Sequence, residues 1–365
     1  MKKAIVMLLT LGTFVMASQA RVDALGGNAA YWPGDEANVA LFPQRVNDYN
    51  IAQFAGLGTA STDHSGWVSW GEGTKYGFSW AEGSDNDMVD FWWGNGSMGV
   101  NFGLGMSSTD NGLSGDANVA TSGMDLGVGF GMDMGFGEFG VNFSNSTFDD
   151  GSDATADDPA SMDVNVYLRR AQNVWMFDNM FFHFNFANDN TFYFDGNGDV
   201  CDMGSDGCSA TSSPDAQGTM ALNLSFFKNV AIAEGTSGVF AMGFGFSSVS
   251  NMMGMKDMGM TQIAFPSFTF AVESGITDWA TARVGLNKSF YLSNSVDYPA
   301  MGDDAAYTES SMGGTPLAYS FGLGFNYGSF NLDVDVTEDL YTNPWQKIVG
   351  FDGLGSTTAT LTYVW

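Results

Sequence analysis

Apolar residues recur at every second position along most of this chain. Met98, Val100, Phe102, Leu104 and Met106 form one such run, and Met124, Leu126, Val128, Phe130 and Met132 form the next. The positions between them in the second run are Gly123, Asp125, Gly127, Gly129 and Gly131. Period two is the signature of a strand with one apolar and one polar face. The same pattern returns at Phe139–Phe143, Met162–Leu168, Phe182–Phe186, Met220–Phe226, Phe240–Phe246, Phe268–Val272, Ala282–Leu286, Leu317–Phe325 and Leu332–Val336. Shorter aromatic segments precede them at Ile51–Gly58, Trp67–Trp70, Tyr76–Ala81 and Met88–Trp93. Asn95-Gly96 between two runs is a hairpin signal. The last stretch, Thr357–Trp365, sets Leu361, Tyr363 and Trp365 against Thr360, Thr362 and Val364. The count is about sixteen segments, or fourteen if two weak early ones are dropped.

The connections alternate in length. Met134–Gly137, the turn at Ala171, Gly275–Asp278 and Tyr327–Ser329 are short. Asp149–Ala160, Asn188–Gly218, Asn294–Thr315 and Asp339–Gly355 are long. A terminal strand ending at Trp365 presents an open edge, which is a liability unless it pairs with the first strand.

A terminal aromatic preceded by alternate apolar residues, with short turns at one end and long loops at the other, resembles the bacterial outer-membrane β-barrel pattern. The resemblance implies an up-and-down antiparallel barrel of fourteen to sixteen strands with both termini periplasmic. A soluble sandwich also alternates, but it needs neither so many long strands nor the loop asymmetry. Residues 1–20 fit a secretory signal: Lys2 and Lys3, then an apolar run from Ala4 to Met16, then small residues at Ser18 and Ala20. Residues 21–49 lack alternation and read as a lead-in or plug. Leu25-Gly-Gly27, Asp35-Glu-Ala-Asn38 and Phe42-Pro43 loosely resemble the entry segment of FadL-type long-chain fatty-acid transporters, which implies a segment tucked into the barrel. Residues 50–365 are the barrel.

Composition narrows the function. The formal net charge is −29, which excludes nucleic acid as a partner. No window of about twenty apolar residues follows Ala20, so helical membrane spans are not expected. Glycine at 48 residues and aromatics at 15% favour strands and tight turns over helices.

Polar positions on the alternate face are expected to line a lumen: Asp125, Asp163, Asn165, His183, Asn185, Arg283, Asp333 and Asp335, with Asn223 and Asn287 among them. Acidic inward groups favour cations in a pore. Asp195, Asn197 and Asp199 follow the opening of an EF-hand loop, and Asp202 and Asp206 lie just beyond, so calcium is a candidate ligand. Cys201 and Cys208 are close enough in sequence to form a disulfide in an exported protein. Met252, Met253, Met255, Met258 and Met260 crowd one loop, which suits an apolar cover or, with less support, Cu(I). Only His64 and His183 are available for acid–base chemistry, and no serine is placed beside either by the sequence, so no catalytic residue and no required cofactor is assigned.

The expected function is an outer-membrane channel for passive diffusion of small polar solutes and ions, weakly cation-selective. The alternatives are FadL-like transport of hydrophobic compounds and a calcium-dependent surface or adhesive barrel. The expected partners are outer-membrane lipid and small solutes. The sequence does not give the oligomeric state.

Overall fold

The computed structural model describes residues 19–57, 64–81, 88–110, 120–149, 160–189, 193–195, 200–201, 208–209, 216–252, 255–300, 305–336 and 357–365. The signal reading falls on residues 1–18, outside them.

The strands run β1 Ile51–Leu57, β2 Ser65–Trp70, β3 Thr74–Ala81, β4 Met88–Asn95, β5 Met98–Asp110, β6 Ala120–Asp133, β7 Glu138–Asp149, β8 Ala160–Val174 and β9 Phe177–Asp189. Three short strands follow in one connection: β10 Tyr193–Asp195, β11 Val200–Cys201 and β12 Cys208–Ser209. The wall resumes with β13 Gln217–Ala233, β14 Thr236–Ser250, β15 Gly259–Thr277 and β16 Ala280–Tyr298. It ends with β17 Tyr307–Gly314, β18 Ala318–Tyr327, β19 Phe330–Val336 and β20 Thr357–Val364. Each wall strand pairs antiparallel with its neighbours in the chain. The sheet closes where Ile51 of β1 meets Val364 of β20. β17 and β18 both pair with β16 and together make one interrupted strand, so the wall has sixteen strands. The interruption has a local cause. Pro316 brings no N–H to the ladder, Thr315 pairs with Ser289 through N–H to O at 2.9 Å, and Lys288 Nζ donates to the Thr315 carbonyl.

Period two holds through the wall. The outward set includes Phe91, Phe102, Met106, Phe270 and Val284, all exposed, with Met106 at 66%. A large apolar outer surface of this kind is unsuited to water. Tight turns at Gly71–Gly73, Gly96-Ser97, Met134–Gly137, Trp175-Met176, Glu234-Gly235, Asp278-Trp279 and Gly328-Ser329 share one end with Asn50 and Trp365. Two boundaries differ from the sequence expectation. β8 continues past Ala171 to Val174, with a register shift in between. Asn294–Tyr298 pairs with Tyr307–Ser311 as sheet instead of forming loop. That extension has no alternation to detect, because β17 is exposed on both faces and its backbone ladder holds it together.

Candidate functional site: the lumen and the segment that fills it

Residues 19–50 form a six-residue helix, Gln19–Ala24, and three 3-10 turns, Ala29–Tyr31, Glu36–Ala40 and Pro43–Asp48. Side chains cap the first two turns: Asn28 accepts from the Ala30 N–H and Asp35 from the Ala37 N–H. The helix touches β16, β18, β19 and β20, and the last turn touches β3, β4, β5 and β6. Wall side chains reach the segment's carbonyls from other directions. Asn142 of β7 donates to Ala40 O at 2.7 Å, Arg169 of β8 to Ala30 O at 2.9 Å, Asn229 of β13 to Tyr31 O at 2.8 Å and Asn287 of β16 to Gly26 O at 2.9 Å. A segment in contact with strands all round the circumference lies inside the barrel. Its contacts with Gly94, Gly99, Asn229 and Glu273, each a few residues from a tight turn, set it in the short-turn half.

The segment has two different sides. Toward β8, β9 and β13–β15 it is apolar: Leu25, Tyr31, Trp32 and Phe42 pack with Tyr167, Phe181, Phe227, Val239, Ala241 and Ala271 in one buried cluster. Toward β4–β7 its backbone lies on glycine. Gly94 pairs with Gly99, Gly99 with Gly131 and Gly131 with Gly140, making one horizontal row. A Cβ on Gly99 would sit 2.3 Å from Pro43 O, and one on Gly140 2.1 Å from Leu41 O. A side chain in this row would push the segment off the wall.

Two arginine clusters join segment to wall. Arg21 pairs with Asp35 within the segment and with Glu273 of β15 at 3.0 Å. Arg283 of β16 pairs with the same Glu273 at 2.6 Å and with Asp333 of β19 at 2.6 Å. On the other side, Glu138 of β7 accepts from Arg45 at 2.5 Å and from Arg169 at 2.6 Å. Arg169 also bonds Asn38 Oδ1 at 2.6 Å and lies over the Phe42 ring at 4.8 Å. Burial leaves each of these charges dependent on its partner.

Above the segment, toward the long loops, the inward side chains are polar. Asn142, Asn165 and Asn185 are direct cross-strand neighbours on β7, β8 and β9. Asn185 Nδ2 donates to Asp163 Oδ2 at 2.6 Å and Asn165 Nδ2 to Asp163 Oδ1. His183 Nε2 meets Asn165 Oδ1 at 2.8 Å, and its ring stacks on Tyr167 at 4.7 Å.

The expected lumen residues therefore divide. Asp163, Asn165, His183 and Asn185 come together in the loop-end half. Arg283 and Asp333 are buried in the clamp at the segment. Asp125 opposes Gly105 and Ser146, and Asp335 opposes Gly322 and Thr358, so both share the inward face. Sequence reasoning missed Asn101, Glu138, Asn142, Arg169 and Glu273, and the inward aromatics. A signal for the aromatics exists: Trp92-Trp93, Phe181-Phe182 and Phe226-Phe227 are apolar on both faces of a strand, so the lumen side of those strands must also meet apolar surface.

The calcium reading falls on Asn197, Asp199, Asp202 and Asp206, outside the described residues. Of Asp195, Cys201 and Cys208 only the backbone is described: β10 lies between β11 and β12, with Tyr193 opposite Cys201 and Asp195 opposite Cys208. In the methionine loop, Met252 and Met258 join through N–H to O at 2.8 Å, Met258 is buried, and Met253 lies outside the description.

No family model and no curated protein matches this chain. Among solved structures it is similar to CdiB from Escherichia coli, with a TM-score of 0.40 and 10% identity over 86% of this chain and 62% of that one. It is also similar to BamA from Haemophilus ducreyi lacking POTRA domains 1–3, with a TM-score of 0.38 and 9% identity over 87% and 70%. A mutant ferric enterobactin receptor from Pseudomonas aeruginosa gives a TM-score of 0.32 and 10% identity over 78% and 61%.

Proposed function

We propose that the chain is a bacterial outer-membrane barrel that passes small polar solutes, with a preference for cations among ions, and that residues 19–50 hold it closed at rest. One observation carries this reading. The short-turn half of the lumen is filled by a docked segment, while the half that opens toward the long loops presents Asp163, Asn165, His183 and Asn185. The closed antiparallel wall and its exposed apolar outer face support the membrane placement. The short-turn end then faces the periplasm. On this reading the passive diffusion expected from the strand pattern is gated by the segment. A route for hydrophobic compounds has less support, because the apolar lumen residues are those already covered by the segment.

The test is conductance in planar bilayers. The full chain should show small or rare openings, and a chain lacking residues 24–48 should conduct at least tenfold more. Equal conductance in the two would end the gating reading. A mature protein that stays monodisperse in buffer without detergent would end the membrane reading.

A further inference from the structure

The row directly above the glycine seat is a row of carboxamides. Reading across β5 to β9 it is Asn101, Gly129, Asn142, Asn165 and Asn185, each a direct cross-strand partner of the next. The two ends of the row differ. Asn165 and Asn185 are open to the lumen and bonded through Asp163. Asn101 and Asn142 are 3% and 5% exposed, beneath the edge of the docked segment, and Gln44 of that segment is 4% exposed beside them. Five buried polar atoms in this covered half have no hydrogen-bond partner: Asn101 Oδ1 and Nδ2, Gln44 Oε1 and Nε2, and Asn142 Oδ1. They converge. The point where a Cβ on Gly129 would lie is 1.8 Å from Asn101 Oδ1 and 2.6 Å from Asn142 Oδ1, and Gln44 Oε1 is 1.9 Å from the equivalent point on Gly131.

Buried amide groups without partners cost free energy, so a set of them at one place points to a ligand that completes them. Their type selects its chemistry. A metal cation would satisfy the oxygens and leave the N–H groups unmet; an anion would do the reverse. A neutral hydroxyl group both donates and accepts.

We infer that this carboxamide row, Asn101, Asn142, Asn165 and Asn185, is a binding site for a neutral, hydroxyl-rich solute of the saccharide or polyol class, which takes the place of the docked segment's Gln44. The inference rests on the transport reading and deepens it, because the site spans the boundary between open lumen and closing segment. Solute settling first on Asn165 and Asn185 reaches the covered half only if residues 40–44 lift from the glycine seat. The Asn142 bond to Ala40 O, at 2.7 Å, is the contact that must yield. Binding and opening are then one event.

The test uses the detergent-purified full chain titrated calorimetrically with maltose and with maltohexaose, and with tetraethylammonium chloride as the ionic probe. Saturable sugar binding is expected, weakened at least tenfold by Asn165→Leu and by Asn142→Leu. A thermal midpoint in detergent that stays unchanged in both variants separates the effect from a packing defect. Hydrogen exchange of residues 40–47 should quicken when maltohexaose is bound. No saturable uptake of either sugar, uptake of tetraethylammonium instead, or sugar affinity equal in all variants would overturn the site. Sugar binding with unchanged exchange at 40–47 would overturn its link to opening. Failure of the transport reading shows separately, as unchanged conductance after removal of residues 24–48.

Discussion

Gly99 has no room for a methyl group. A Cβ there would lie 2.3 Å from the Pro43 carbonyl oxygen and 2.5 Å from Gln44 Cα, both backbone atoms that cannot swing aside. Overpacking of this kind costs about 1–3 kcal/mol, and here it falls on docking of residues 19–50 and spares the wall ladders. Gly99→Ala should therefore raise hydrogen exchange at 40–48 and leave exchange in β5 and β6 as it was. Gly34→Ala, where an added Cβ meets nothing within 4 Å, is the neutral comparison. Equal effects of the two would refute the seat. Glu36 gives a second residue-scale test. Burial first, and the neighbouring Asp35 carboxylate second, push its acid up to about 8 from an ordinary 4.5. Below about pH 4.5 the group is protonated whether the segment is docked or free. Between that value and about 8 only the docked form keeps the proton, so docking weakens as pH rises through this window and levels off above it. Exchange at 35–48, referenced to Glu36→Gln, should show that decline from pH 5 to 8. Protection that grew with pH would contradict it.

At the scale of elements, the docked segment is held by different forces on its two flanks. One flank is an apolar cluster that needs no counterpart charge. The other hangs on Glu138, which serves Arg45 of the segment and Arg169 of β8 together. Glu138→Ala leaves a guanidinium on Arg169 buried and short of its partner, and removing one member of such a group costs about 3–5 kcal/mol. The expected readout is a lower thermal midpoint in detergent and labile exchange at 38–48, with Glu138→Gln in between because it still accepts one bond. An unchanged midpoint in Glu138→Ala would mean that the apolar flank and the Arg21–Glu273 pair set docking without it. The strands themselves were legible in the sequence because lipid-type and lumen-type positions must alternate wherever a wall separates two environments, as in Met98–Met106. The docked segment was legible only as a lapse in that alternation. Of its partners, the inward aromatics left a trace in doublets such as Phe226-Phe227, whereas an inward Gly131 looks the same in sequence as a turn glycine. Asn101 and Asn142 escaped notice for a related reason: their meaning lies in register, which puts them in one row across strands far apart in the chain.

Across the whole molecule the charges are sorted. The chain has 12 lysines and arginines against 41 aspartates and glutamates. Four of the arginines, Arg21, Arg45, Arg169 and Arg283, are committed to carboxylates where the docked segment meets the wall. The inward groups nearer the loops are carboxylates without such partners, Asp163 with only amide donors and Asp335 with one oxygen unpaired. These four arginines are thus held at the closure, and the proposed cation preference rests on the acidic groups of the open part of the lumen, whose field would concentrate cations and repel anions. Removing residues 24–48 takes out Arg45 together with Asp35, Glu36 and Asp48, and leaves Arg21, Arg169 and Arg283 matched by Glu138, Glu273 and Asp333, so the acidity of the bore that opens comes from the inward Asp125, Asp163 and Asp335. Under a tenfold potassium chloride gradient the reversal potential of that shortened chain should have the sign of a cation-preferring pore. Asp163→Asn with Asp335→Asn should move it toward zero, since these replacements keep the side-chain volume and remove the field. A reversal potential of anion sign, or one that the double replacement leaves where it was, would mean that the acidity of this chain resides in its outer loops and plays no part in what the lumen passes.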